Sequence, residues 1–165
     1  VSSPSTYYSE PGGWWITDSS GYPGAYHVPA CEAQLAVDTS TGYIYCLWNG
    51  SDDYTDTSAT GIFNGELYGS YSSNNGLTWT DYVNLTNTRS HGAPAGACMD
   101  EDYMTACPIT VGDSIFITFI EDKDAGSFLM GEGVATENPV RLWVFHKNLI
   151  TGIKEHVSNE IPKGI

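Results

Sequence analysis

The residues here with a spacing that chemistry uses are acidic. Asp122-x-Asp124-x-Gly126 puts carboxylates on alternate positions of a loop. That is the ligand pattern of a calcium site, and hard carboxylate oxygens suit Ca²⁺ better than any softer metal. The run has neither the third ligand nor the distal Glu of an EF-hand, so a solvated acidic loop is the competing reading. Asp100-Glu101-Asp102 offers the same ligand type in a tighter run. Arg89 and His91 share one Gly- and Pro-rich loop and, with Asp100 and Asp102, form the candidate ligand-facing set. His27, His146 and His156 are scattered and make no metal spacing. An ordinary glycosidase needs two carboxylates flanking a bond, and no spacing singles out such a pair.

Four cysteines, Cys31, Cys46, Cys98 and Cys107, contain no Cys-x-x-Cys pair, which argues against zinc, iron–sulfur and c-type haem. Disulfides are the expectation, with local and more distant pairings equally open. Two sequons, at Asn49 and Asn84, agree weakly with an exported chain. The formal charge of −14, from 20 acidic against 6 basic side chains, repels phosphate backbones and anionic membranes, so nucleic acid is not an expected partner. No stretch approaches the ~20 apolar residues of a membrane span. The first residues lack a charged region followed by an apolar one, so any signal peptide is expected to have been removed already.

The elements that must position these residues are strands. Helical periodicity is absent, and short β-branched and aromatic runs recur between Gly, Asn, Asp and Ser clusters, which predicts an all-β chain. Four hairpins are expected, joining 34–37 to 43–48, 66–72 to 78–83, 104–110 to 114–120, and 140–146 to 153–157. Residues 43–48 and 115–120 are apolar on both alternating faces, so both sheet faces must be covered, as in sheets stacked on neighbours. Ala30-Cys31 and Ala97-Cys98, 67 positions apart, suggest an internal repeat of two four-stranded units. Connections 49–64, 84–103 and 121–139 carry 11 of the 20 acids.

One motif is more specific. Ser72-Ser73-Asn74-Asn75-Gly76-Leu77-Thr78-Trp79 resembles the Asp-box of sialidase-like (BNR-repeat) β-propellers, with Asn74 where Asp is usual and Ser72, Gly76, Thr78 and Trp79 matched. Asn74 is expected to accept backbone N–H groups, Gly76 to take a positive φ, and Trp79 to pack between sheets. In that family the motif is structural and says nothing of substrate. Glu121–Gly126, 131–133 and 136–140 are similar to the closing portion of secreted propellers of this kind. Residues 160–165 are similar to the linker before a type IX secretion sorting domain.

The resemblance covers residues 30–165 and implies antiparallel four-stranded blades, about two of them, in an extracellular or cell-surface setting. The expected divisions are an irregular segment 1–30, a blade with the Asp-box at 31–88, a second blade at 89–158, and a linker end at 159–165. Two blades cannot close a ring, so the expected partners are the remainder of the chain's own propeller or copies of itself, with glycan or protein as further ligands. A sialidase-like mechanism needs an arginine cluster, and only Arg89 and Arg141 are present. The expectation is a non-catalytic structural or binding segment. The alternative is part of a glycoside hydrolase whose catalytic groups lie elsewhere.

Overall fold

The computed structural model describes residues 7–10, 13–16, 24 and 30–152. Its strands are β1 (Tyr7–Glu10), β2 (Gly13–Ile16), β3 (Ala30–Val37), β4 (Ile44–Gly50), β5 (Glu66–Ser72), β6 (Val83–Asn84), β7 (Asp100–Ala106), β8 (Ser114–Asp122) and β9 (Val140–His146). One helical turn, α1 (Asn148–Thr151), follows β9. The chain is all-β, as its composition predicts. It makes two antiparallel meanders, β3-β4-β5-β6 and β7-β8-β9, besides the small β1-β2 hairpin, and neither meander closes on itself.

The meanders pack face to face because one alternating set in each is apolar. Ala36, Tyr45, Leu47 and Leu67 from the first meet Met104, Ala106, Ile115, Ile117, Phe119 and Phe145 from the second, all buried, and Ile150 of α1 joins them. At about 1.5–3 kcal/mol for each large apolar side chain removed from water, this shared core dominates the folded state. Ile150 reaches β5 over Gly69, where a Cβ would stand 2.9 Å from Ile150 Cδ1. Two amides then fix the sheets' relative position. Gln34 Nε2 donates to Met104 O (3.0 Å) while Ala106 N donates to Gln34 Oε1 (3.0 Å). Asn49 Nδ2 donates to Glu101 O (2.5 Å) and Met104 N donates to Asn49 Oδ1 (3.1 Å).

The leading strands run parallel to one another. Val37 and Ile109 form a parallel bridge, with Val37 N donating to Pro108 O (2.9 Å) and Thr110 N to Val37 O (3.0 Å). Consequently turns 38–43 and 107–113 share one end of the molecule, and connections 51–65, 85–99 and 123–139 share the other. The latter are tied together by Gly92 N to Thr57 O (2.7 Å) and Gly96 N to Lys123 O (2.7 Å).

The two meanders also repeat one another, but not at the sequence match. Each leading strand carries a bulge, between Cys31 and Gln34 in β3 and between Asp102 and Thr105 in β7. In each bulge a non-glycine residue sits at positive φ, Glu32 at 55° and Tyr103 at 52°. Those residues are 71 positions apart, as are the paired positions Leu47 and Thr118 that face Gln34 and Thr105. The Ala-Cys match at 67 is therefore out of structural phase: Ala30-Cys31 opens β3, whereas Ala97-Cys98 precedes β7.

Several expectations are corrected. The expected strand 78–83 is reduced to Val83–Asn84, although Thr80 N still donates to Tyr71 O (3.0 Å). Strand β7 begins at Asp100 instead of 104, because the acidic run itself pairs with β8. Residues 148–151 are helical, closed by Gly152 at φ 68°. Segment 1–30 contains a hairpin, so it is not wholly irregular. The strand expected at 153–157, the linker 159–165, His27, His156 and the Trp14 and Trp15 side chains lie outside what is described.

No two cysteine sulfurs are at bonding distance. Cys31 stands opposite Asn49 and Cys46 opposite Leu35, so the ladder register separates them. The whole of β7 lies between Cys98 and Cys107. Asn49, in the first sequon, is 3% exposed and holds β7, so it is a structural amide.

Candidate functional site

The Asp-box segment forms a side-chain-locked turn. Gly76 N donates to Ser72 Oγ (2.9 Å), Ser72 Oγ donates to Asn74 Oδ1 (2.9 Å), and Thr78 N donates to the same Oδ1 (2.9 Å). Asn74 Nδ2 donates to Thr78 Oγ1 (2.9 Å), a bond that Asp could make only as an acceptor. Gly76 adopts φ 81°, as the turn requires. Trp79 departs from expectation: it is 43% exposed and lies near Gly76, not between the sheets, because residues 78–82 form no regular outer strand.

The acids gather at the end of the molecule formed by 51–65, 85–99 and 123–139, but most point inward. Asp56, Asp100, Glu101, Asp102, Glu121 and Asp124 are all buried. Irregular loops leave backbone N–H groups without ladder partners, and Asp56, Asp100 and Asp124 accept them, while Glu121 pairs with Lys123 and Arg141. Asp56 Oδ1 accepts Ser90 N (3.2 Å) and Asn64 Nδ2 (3.0 Å), and Asp100 Oδ1 accepts Gly65 N. Asp100 and Asp102, expected to face a ligand, are buried, at 2% and 5% exposed. Burial, with Asp122 and Glu32 nearby, drives the Asp102 carboxyl well above the usual carboxylate range.

At Asp122 and Asp124, the expected calcium pair, the carboxylates are likewise engaged by the loop. Asp122 Oδ1 accepts Asp124 N (2.9 Å) and Asp124 Oδ2 accepts Val134 N (2.8 Å), so both carboxylates fold their own loop. A Cβ at Gly133 would stand 2.6 Å from Asp124 Oδ2, which shows how closely that loop wraps the carboxylate. Among the described residues no three His, Cys, Asp or Glu side chains are placed to hold a metal ion. Arg89 is exposed but engaged, paired with Asp53 and donating to Thr55 Oγ1 (2.8 Å); His91 is exposed in the same loop.

One carboxyl pair is sealed at the sheet interface. Glu66 Oε2 accepts Thr86 Oγ1 (2.6 Å) and Thr88 N (3.0 Å), while Glu101 Oε1 accepts Thr88 Oγ1 (2.6 Å). Burial, together with Glu66 and Asp100, pushes the Glu101 carboxyl up to about 9. Glu101 is 1% exposed and Glu66 7%, so neither can reach a substrate from solvent. Their role is structural.

An open cavity of about 240 Å³ lies at the acidic-loop end of the first meander, on the face opposite the core. Trp48 and Tyr68 are directly paired across β4 and β5, and their rings stack at 6.0 Å with 20° between planes. Tyr82 meets both edge-on, at 5.9 Å and 5.7 Å. Tyr82 Oη donates to Asp52 Oδ2 (2.7 Å), and Asp52 N donates to Tyr68 Oη (3.1 Å). Tyr54 and Ser51 complete the mouth. Asp52 falls in the acidic connection 49–64, but no motif or spacing in the sequence marks Trp48, Tyr68 and Tyr82 as a group. The available signal was that Trp48 and Tyr68 lie on the strand faces opposite Leu47 and Leu67.

Comparison with family models, with curated proteins and with solved structures found no match to this chain.

Proposed function

We propose that this chain is a non-catalytic, extracellular β-propeller segment, sialidase-like in architecture, whose two meanders are neighbouring blades and whose work is to build and present a binding surface. The observation that carries the reading is the 71-residue structural repeat: bulge matches bulge, the leading strands run parallel, and the meanders stack face to face. Blades around a propeller axis are related in this way. The locked turn at Ser72–Thr78 supports the Asp-box likeness in its chemistry. The extracellular setting rests on the family resemblance, since no disulfide bridge supports it.

The repeat also assigns a partner surface. The face of the first meander that covers the second carries Tyr45, Leu47 and Leu67; the matching face of the second carries Phe116, Thr118, Ile120, Val140, Leu142 and Val144. Val140, Leu142 and Val144 are 72%, 64% and 54% exposed. The natural occupant of this face is a further blade of the same propeller, and isolated chains should associate through it. Light scattering at micromolar concentration tests the reading: a cooperatively melting monomer would overturn it. Turnover of aryl glycosides by the purified chain would overturn the non-catalytic part and favour a glycoside hydrolase.

A further inference from the structure

The cavity beside β4 and β5 has a chemistry that selects a class of ligand, independently of the propeller reading. Its walls are aromatic: Trp48 and Tyr68 stacked on one another and Tyr82 set perpendicular to both. Asp52 is its one charged lining group. Two of the hydroxyl donors around it are committed to the protein: Tyr82 Oη gives its proton to Asp52 Oδ2 and Ser51 Oγ donates to Asn64 O (3.3 Å), while Tyr68 Oη accepts Asp52 N (3.1 Å). Asp52 Oδ1 makes no hydrogen bond among the described residues. A polyhydroxylated ligand needs several donors and acceptors in fixed positions, whereas this lining is dominated by aromatic side chains around a single carboxylate.

We propose that this cavity binds an organic ammonium group, held against the Trp48 and Tyr82 rings, with the buried Tyr68 backing them and Asp52 as its counter-charge. A cation within about 6 Å of an aromatic face is attracted by the ring quadrupole, most strongly by Trp, and needs no hydrogen-bond donor from the site. The bond from Tyr82 Oη to Asp52 places extra electron density on that ring and fixes its edge-on orientation. The long-range field agrees, because a chain of charge −14 concentrates cations around it. The neighbouring Asp53 is already paired with Arg89, which leaves Asp52 as the local counter-ion. The ammonium group can belong to a free quaternary amine or to a methylated lysine in a peptide.

The test is a titration of the full chain with choline and with 3,3-dimethylbutan-1-ol, its uncharged isostere, followed by two-dimensional NMR. Choline should shift the Trp48 indole signal and bind at least tenfold tighter than the isostere. Asp52→Asn, at an exposed position, should keep the melting temperature and weaken choline binding about fivefold. Tyr82→Leu should abolish it. A trimethyl-lysine peptide binding at least tenfold tighter than choline identifies a protein partner, and equal or weaker binding identifies a small amine. Equal binding of choline and the isostere, or shifts produced by a methyl glycoside and not by choline, would overturn the proposal.

Discussion

At the residue scale the chain uses carboxylates as structural acceptors, and this has a pH consequence. Glu101 ionises at about 9 when folded and near 4.5 when unfolded. Below pH 4.5 both states are protonated and the folded state bears no penalty; as pH rises toward 9 the unfolded chain loses this proton first, so stability falls. Asp102, also raised by burial, adds in the same direction. Glu101→Gln should therefore raise the melting temperature at pH 8 by roughly 5 °C and change it little at pH 4.5. Equal effects at the two pH values would rule this origin out. At the locked turn, Asn74→Ala should cost about 1–2 kcal/mol, whereas Asn74→Asp, which retains the acceptor for Thr78 N, should stay within about 0.5 kcal/mol. Urea denaturation of both variants decides it. For the cysteines, alkylation without reductant should label all four, Cys98 last: it is fully buried, its thiol donates to Ala93 O (3.4 Å), and burial pushes its pKa up.

At the element scale the second meander is pinned to the first turn by one cation. Lys147, just after β9, reaches Asp38 Oδ2 (2.8 Å) in the β3–β4 turn and Asp113 Oδ1 (2.7 Å) in the β7–β8 turn. Burial alone would raise the Asp38 carboxyl, but Lys147, Ser40 and Thr41 outweigh it and hold the group well below the usual range. Asp38 is 2% exposed, so Lys147→Met strands a buried charge and should cost about 3–5 kcal/mol. Adding Asp38→Asn should recover much of that loss in chemical denaturation. A cost for the single variant below ~1 kcal/mol would mean that water replaces the ammonium.

For the whole molecule, the question is what covers the outer face of β8 and β9. Phe116 pairs with Val144, Thr118 with Leu142, and Ile120 with Val140, which makes a continuous apolar strip. Strips of this kind on soluble chains mark interaction surfaces. Leu142→Lys, at the centre of the strip and 64% exposed, should leave the melting curve of the monomer unchanged and shift light scattering from associated species toward monomer. Leu149→Lys, also exposed but on α1, serves as the control and should leave association as it was. If both variants associate like the parent chain, the strip is not the contact.

The sequence by itself determined the strand content, the register-setting alternation and the chemistry of the Ser72–Thr78 turn, because each depends on neighbours within a few positions. That the acidic connections share one end of the molecule follows from the parallel leading strands of the two meanders, which the tertiary structure supplies. Only the tertiary structure decided where those acids point. Whether Asp100 or Asp124 meets solvent or a loop N–H depends on chain segments 35 and 10 positions away, and no local pattern encodes that partner. The same holds for the cysteines, whose pairing depends on cross-strand register, and for the true 71-residue phase of the repeat, which is carried by backbone bulges. The aromatic cavity is the plainest case. Trp48 with Asp52, Tyr68 and Tyr82 come from three separate stretches, and only the pairing of β4 with β5 and the return of the chain past β5 bring one carboxylate and three rings to a single opening.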